Sequence, residues 1–141
     1  MAGRSGRSPE EVPPVSALVL DAGAFIAADR NDRSMIARLR VAQLHGHELR
    51  TSAIVIAQVW RSQGGKQAGV ARLLRAVDVR SVDEQMGRDA GVLLAKTRTD
   101  DPIDATVVLV ARSGDRILTS DPDDIGRLAS SSGKRLAIVP C

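Results

Sequence analysis

The sequence predicts an α/β fold, a three-layer α/β/α sandwich with a mostly parallel central sheet. Three observations carry that expectation. Short aliphatic runs alternate with longer stretches of helical periodicity, as in chains that cover both faces of a sheet with helices. The run VSALVLD is too short for a helix and too apolar for a surface strand, so it reads as a strand buried on both faces. The 141 residues are enough for one domain with a real core and too few for two.

The opening MAGRSGRSPEEVPP has no apolar stretch of signal-peptide type, and its Gly, Ser, Pro and charge content reads as a disordered tail over residues 1–14. The single domain then occupies residues 15–141. After VSALVLD comes a short helix, AGAFIAADR, then NDRSMIARLRVAQLHG. In the latter, Ser34 can cap a helix that carries Ile36, Leu39 and Leu44 on or near one face. HELRTS gives a second strand. AIVIAQVW is strand-like in composition, but helical character runs from Ser52 to Arg61, with Val55/Val59 and Ile56/Trp60 as i, i+4 pairs. SQGG breaks the chain, and KQAGVARLLRAV restarts a helix through Val70, Leu73 and Leu74. VDVRSV is a short strand, and DEQMGRDAGVLLAKT a helix with Met86, Ala90, Leu93 and Leu94 inward. DDPIDATVVLVAR is a helix with Asp101 as N-cap and Pro102 at its first position. RILTSD, DPDDIGRLASSSG and RLAIVP complete a strand, a turn with a short helix, and the closing strand.

Composition narrows the function classes. Hydrophobic residues make up 43%, but there is one Phe, one Trp and no Tyr, so the core is aliphatic and the scarcity argues against recognition by base stacking. The formal charge of +3, with a pI of about 9.7, is compatible with a nucleic-acid partner and equally with a solvated Arg-rich surface. Cys141 is the one cysteine, so no disulfide or Cys-based metal site forms within a chain, and a reducing, cytoplasmic setting fits. No apolar run reaches the roughly 18 residues of a membrane span.

Ligands of parallel sheets gather at the carboxyl ends of strands. Two strands end there in an acid, LVLD in Asp21 and ILTSD in Asp121, and Asp104 lies in the first turn of the helix opened by Asp101 and Pro102. Each acid singly is explained by helix capping or by the helix dipole. If those strands are neighbours, the acids form a self-repelling cluster that calls for a divalent cation or bound protons. A phosphoacceptor receiver also uses acids at strand ends, but LVLDAG lacks its acidic pair and Lys134 precedes the last strand.

LVLDAGAFIAADR, TSAIVIAQVWR, DPIDATVVLVAR and ILTSDPDDI, in that order, resemble the PIN-domain ribonucleases, specifically the VapC-type toxins of bacterial toxin–antitoxin pairs. The resemblance spans roughly Val15 to Val139. It implies a PIN-like fold and an endoribonuclease that hydrolyses RNA phosphodiesters with Mg²⁺ or Mn²⁺. The implied acids are Asp21, Asp104 and Asp121, with Asp124 in the place of a frequent accessory acid. It also implies a homodimer and a cognate antitoxin that places a basic residue into the acidic site.

The family's second acid is a Glu within the TSAIVIAQVW helix, and Gln58 stands there instead. A carboxamide keeps the shape and can ligate a hard cation, but brings no charge and cannot act as a base. Three readings follow. Gln58 orients water at the cation while the three Asp carry the charge; Asp101, one helical turn before Asp104, supplies the missing carboxylate; or the nuclease is impaired and the chain is an RNA- or antitoxin-binding module. His45 and His47 read as surface residues away from the site, and Trp60 as core or interface packing. Arg30, Arg33, Arg38, Arg40, Arg61 and Lys66 form, as a group, the candidate phosphate contacts.

Overall fold

A computed structural model describes residues 16–61 and 67–141. The first fourteen residues, SQGG and Lys66 lie outside that range, and so do the expectations of a tail, a break and a phosphate contact there. Five strands form one sheet in the order β3-β2-β1-β4-β5: β1 (Ala17–Leu20), β2 (Glu48–Ser52), β3 (Val77–Arg80), β4 (Arg116–Thr119) and β5 (Ala137–Pro140). All four pairings are parallel. Helices α1 (Ala22–Asp29), α2 (Arg33–Leu44), α3 (Ala53–Val59), α4 (Ala68–Leu74), α5 (Glu84–Thr97), α6 (Pro102–Val110) and α7 (Pro122–Ser132) link the strands. The α/β architecture expected from sequence is the one observed.

The central strands are buried because they are aliphatic on both faces. Val19, Leu20, Ile117 and Leu118 are fully inaccessible, packed with Phe25, Leu49, Val55, Val107, Val108, Ile125 and Leu128. Helix α6 is apolar nearly all round and lies inside the molecule. Gly69 permits the close crossing of α4 over α1: a Cβ there would stand 2.7 Å from the Ala28 carbonyl oxygen. In α2 the cap is Asp32, whose side chain accepts from the Met35 amide at 3.0 Å, and Ser34 sits inside the first turn instead. Asp32 occupies the extended residue before the helix, the conformation a cap requires. The buried face is Met35, Leu39 and Ala42, while Ile36 is half-buried and Leu44 is 79% exposed. Trp60 follows α3 and is 41% exposed, so it is not core.

A buried ionic clamp ties the opposite, N-terminal edge of the sheet. Arg50 on β2, 3% exposed, donates from Nη1 to Asp115 Oδ2 and to the Val110 carbonyl, both at 2.9 Å. Asp115 also accepts from the Ala17 amide and the Arg112 amide, each at 2.8 Å. Lys134 donates to the carbonyls of Val108, Leu109 and Ala111, satisfying the orphan acceptors at the end of α6. Burial lowers its pKa.

Candidate metal centre

The sheet order makes β1 and β4 neighbours, with Leu20 beside Leu118 in register. Their carboxyl ends therefore bring Asp21 and Asp121 to one edge, where the first turn of α6 adds Asp104. Among the described residues, Asp104, Asp121 and Asp124 each present a ligand atom within 4.8 Å of the others. Asp21 stands beside that group rather than in it, and its charge acts on both Asp104 and Asp121.

The acids differ in how much of their bonding capacity is already used. Asp21 caps α1, accepting from the Ala22 amide at 2.8 Å, and takes the Thr119 hydroxyl on its other oxygen at 2.7 Å. Asp101 caps α6 as expected, accepting from the Ile103 and Asp104 amides at 2.9 and 3.2 Å. Asp124 pairs with Arg127 one turn on. Asp121 holds the cap position of α7 but makes no side-chain cap bond. Asp104 is 5% exposed, yet no donor reaches its carboxylate among the described residues. Burial, then the charges of Asp101, Asp21, Asp121 and Asp124, push its pKa from 3.8 to about 7. Burial, then Asp124, raises that of Asp121 as well.

These donors suit a hard cation: oxygen ligands, convergent, and mutually repelling without one. Gln58 is a separate feature of α3. Its helix α3 packs against α1 and α6, the helices that begin at Asp21 and Asp101, and its Oε1 is buried with no partner among the described residues. A buried acceptor left unsatisfied costs about 1–3 kcal/mol, so this oxygen is open to a partner. A cleft of about 270 Å³ lies alongside, lined by Asp101, Asp104, Asp124, Arg98 and Arg127. Two features at this edge escape the sequence. Thr119 orients Asp21, and Cys141 comes close: a Cβ on Gly23 would stand 3.1 Å from its Sγ. Only the pairing of β5 with β4, which ends in the Cys141 amide bonded to the Thr119 carbonyl at 2.9 Å, brings the cysteine here.

No protein-family model and no curated protein matches this sequence. Solved structures match by shape. One is a chain of the crystal structure of VapBC2 from Rickettsia felis bound to a DNA fragment from their promoter, at a TM-score of 0.64 and 12% identity over 86% of this chain and 98% of that one. At that identity the likeness establishes the fold, a VapC-type PIN fold.

Proposed function

We propose that this chain is a metal-dependent endoribonuclease of the VapC toxin type, held in check by an antitoxin. The observation that carries the reading is the convergence of Asp104, Asp121 and Asp124, with Asp21 beside them, at the carboxyl edge of the sheet. Asp104, Asp121 and Asp21 would hold Mg²⁺ or Mn²⁺, with Asp124 and the Gln58 amide oxygen as further donors. When bound, such an ion acidifies a water and polarises a phosphoryl oxygen. The chain's own part is to fix the donors. Thr119 and the Ala22 amide lock Asp21, and Asp101 locks the turn that presents Asp104. With its pKa pushed up to about 7, Asp104 carries a proton part of the time at neutral pH and would have to lose it to serve as a ligand.

The neighbour of like fold is VapBC2 with promoter DNA, which supports an antitoxin as the partner here. An antitoxin arginine suits the acidic edge because a guanidinium pairs bidentately with a carboxylate. A homodimer, expected from the motif resemblance, is checked by light scattering at micromolar concentration. Gln58 favours a second reading, a catalytically weak module that keeps the RNA or antitoxin surface, because the expected fourth charge is missing.

The deciding experiment is Mn²⁺ titration by calorimetry beside RNA cleavage on gels, for the wild type and Asp104→Asn. Binding and cleavage that both vanish in the variant support the enzyme. Binding without cleavage in the wild type selects the weak module. Equal Mn²⁺ binding in both proteins removes the site.

A further inference from the structure

We propose that the groove between α2 and the β4–β5 side of the sheet is the track along which a single-stranded RNA is led to the acidic centre; this rests on the nuclease reading. The groove, of about 540 Å³, carries Arg38, Arg116, His45, His47 and Ser34, and no acid lines it. Leu18 and Val41 form its apolar floor. Its cations are uncommitted. Arg38 reaches only the Pro140 carbonyl, at 3.3 Å, and among the described residues no carboxylate pairs with Arg38 or Arg116. His45 and His47 donate Nδ1–H to the carbonyls of Val41 and Ser16, each at 2.9 Å, so Nε2 of a neutral ring is an acceptor, suited to a ribose hydroxyl rather than to a phosphate.

Position makes the groove a track. Arg116 opens β4 at the amino edge of the sheet, beside Leu18, whereas Arg38 bonds the end of β5. β4 spans about 10 Å between those edges. One residue beyond Pro140, Cys141 lies against Gly23, in the first turn of the helix that Asp21 caps. The groove thus ends beside the acids. Those acids repel the polyanion they are to act on, so cations outside the centre must supply the attraction. With almost no aromatic side chains in the chain, that attraction has to act on phosphates rather than on bases.

The test is fluorescence anisotropy with a labelled single-stranded RNA of about a dozen nucleotides, in EDTA so that nothing is cut. The double variant Arg38→Gln/Arg116→Gln is compared with Arg88→Gln on α5, a helix packed against α6 and α7. The groove variant should bind on the order of tenfold more weakly, with the slope of log Kd against log salt reduced by about 1.4. Arg38→Lys/Arg116→Lys should keep most of the affinity. Ser34→Glu, an acid in the first turn of α2 where the helix dipole favours it, should lower affinity at unchanged melting temperature. In Mn²⁺ the Gln variant should raise KM and spare kcat. A groove variant that binds like Arg88→Gln, or Lys variants that lose as much as Gln, overturns the track. RNA cut equally well by wild type and groove variants removes the track and leaves the nuclease standing. Mn²⁺ bound with no RNA bound or cut removes both, and displacement of nothing but a polyglutamate probe assigns the groove to an acidic protein segment.

Discussion

Gln58 carries an amide where the motif calls for an acid, and its buried Oε1 has no partner among the described residues. Those facts meet if the oxygen is a neutral ligand. Gln58→Glu then adds a charge with almost no change in shape, and Mn²⁺ should raise its melting temperature more than that of the wild type. A tenfold gain in affinity corresponds to about 1.4 kcal/mol at saturation. A Glu buried as a mere packing residue would instead cost a few kcal/mol that metal does not return. Equal metal shifts in both proteins would mean that Gln58 is no ligand. Asp121 gives the complementary case. Its side chain makes no cap bond, so Asp121→Asn should leave the apo protein as stable or more so, by denaturant titration, while weakening Mn²⁺ binding. An apo loss above about 1 kcal/mol, the typical worth of a lost cap, would show a structural acid instead.

The helices and strands were legible where local chemistry dictates them. Asp101-Pro102 opens α6 because the carboxylate caps and proline fits the first turn, and the aliphatic run before Asp21 can only be a buried strand. The start of α2 is ambiguous in the sequence because Asp32 and Ser34 are both good caps and the turn geometry, not the residue type, chooses between them. The acids at the strand ends were visible since each follows an apolar run; which of them touch was not, because strand order is a long-range property. The clamp of Arg50 and Asp115 was illegible for the same reason. In HELRTS and SGDRILTS the charges look like edge and turn residues, and only the packing of β2 beneath α6 buries them. Asp115→Ala should therefore cost about 3–5 kcal/mol by urea denaturation, because it orphans the Ala17 and Arg112 amides and leaves the buried guanidinium only the more exposed Glu48 and Asp78. Asp101→Ala removes one cap and should cost about 1 kcal/mol. A similar small loss in both would show that the clamp is not the tie its geometry describes.

Across the whole molecule, one protein with a net charge of +3 concentrates acids at one edge of its sheet. The charge imbalance there is a property of the folded state alone, so it links global stability to pH. Asp104 titrates near 7 in the fold and at 3.8 without its surroundings. Between those values the folded apo protein keeps a proton that the unfolded chain has released. Proton uptake on folding means that this contribution favours the fold at low pH, declines as pH rises from about 4 to about 7, and is flat beyond. The raised pKa of Asp121 acts in the same sense. A divalent cation competes with that proton, so the stabilisation conferred by Mn²⁺ should have the opposite slope, small at pH 5.5 and largest at pH 8. Thermal melts at both pH values, in EDTA and in Mn²⁺, measure the two slopes. Other carboxylates and the histidines titrate over the same interval, so the informative quantity is wild type minus Asp104→Asn. In EDTA that difference should shift against the wild type as pH rises from 5.5 to 8; in saturating Mn²⁺, which displaces the proton, it should lose that pH dependence. A difference that ignores pH in EDTA would mean that Asp104 is ionised throughout. One that ignores Mn²⁺ would mean that the acids at this edge hold protons and no metal.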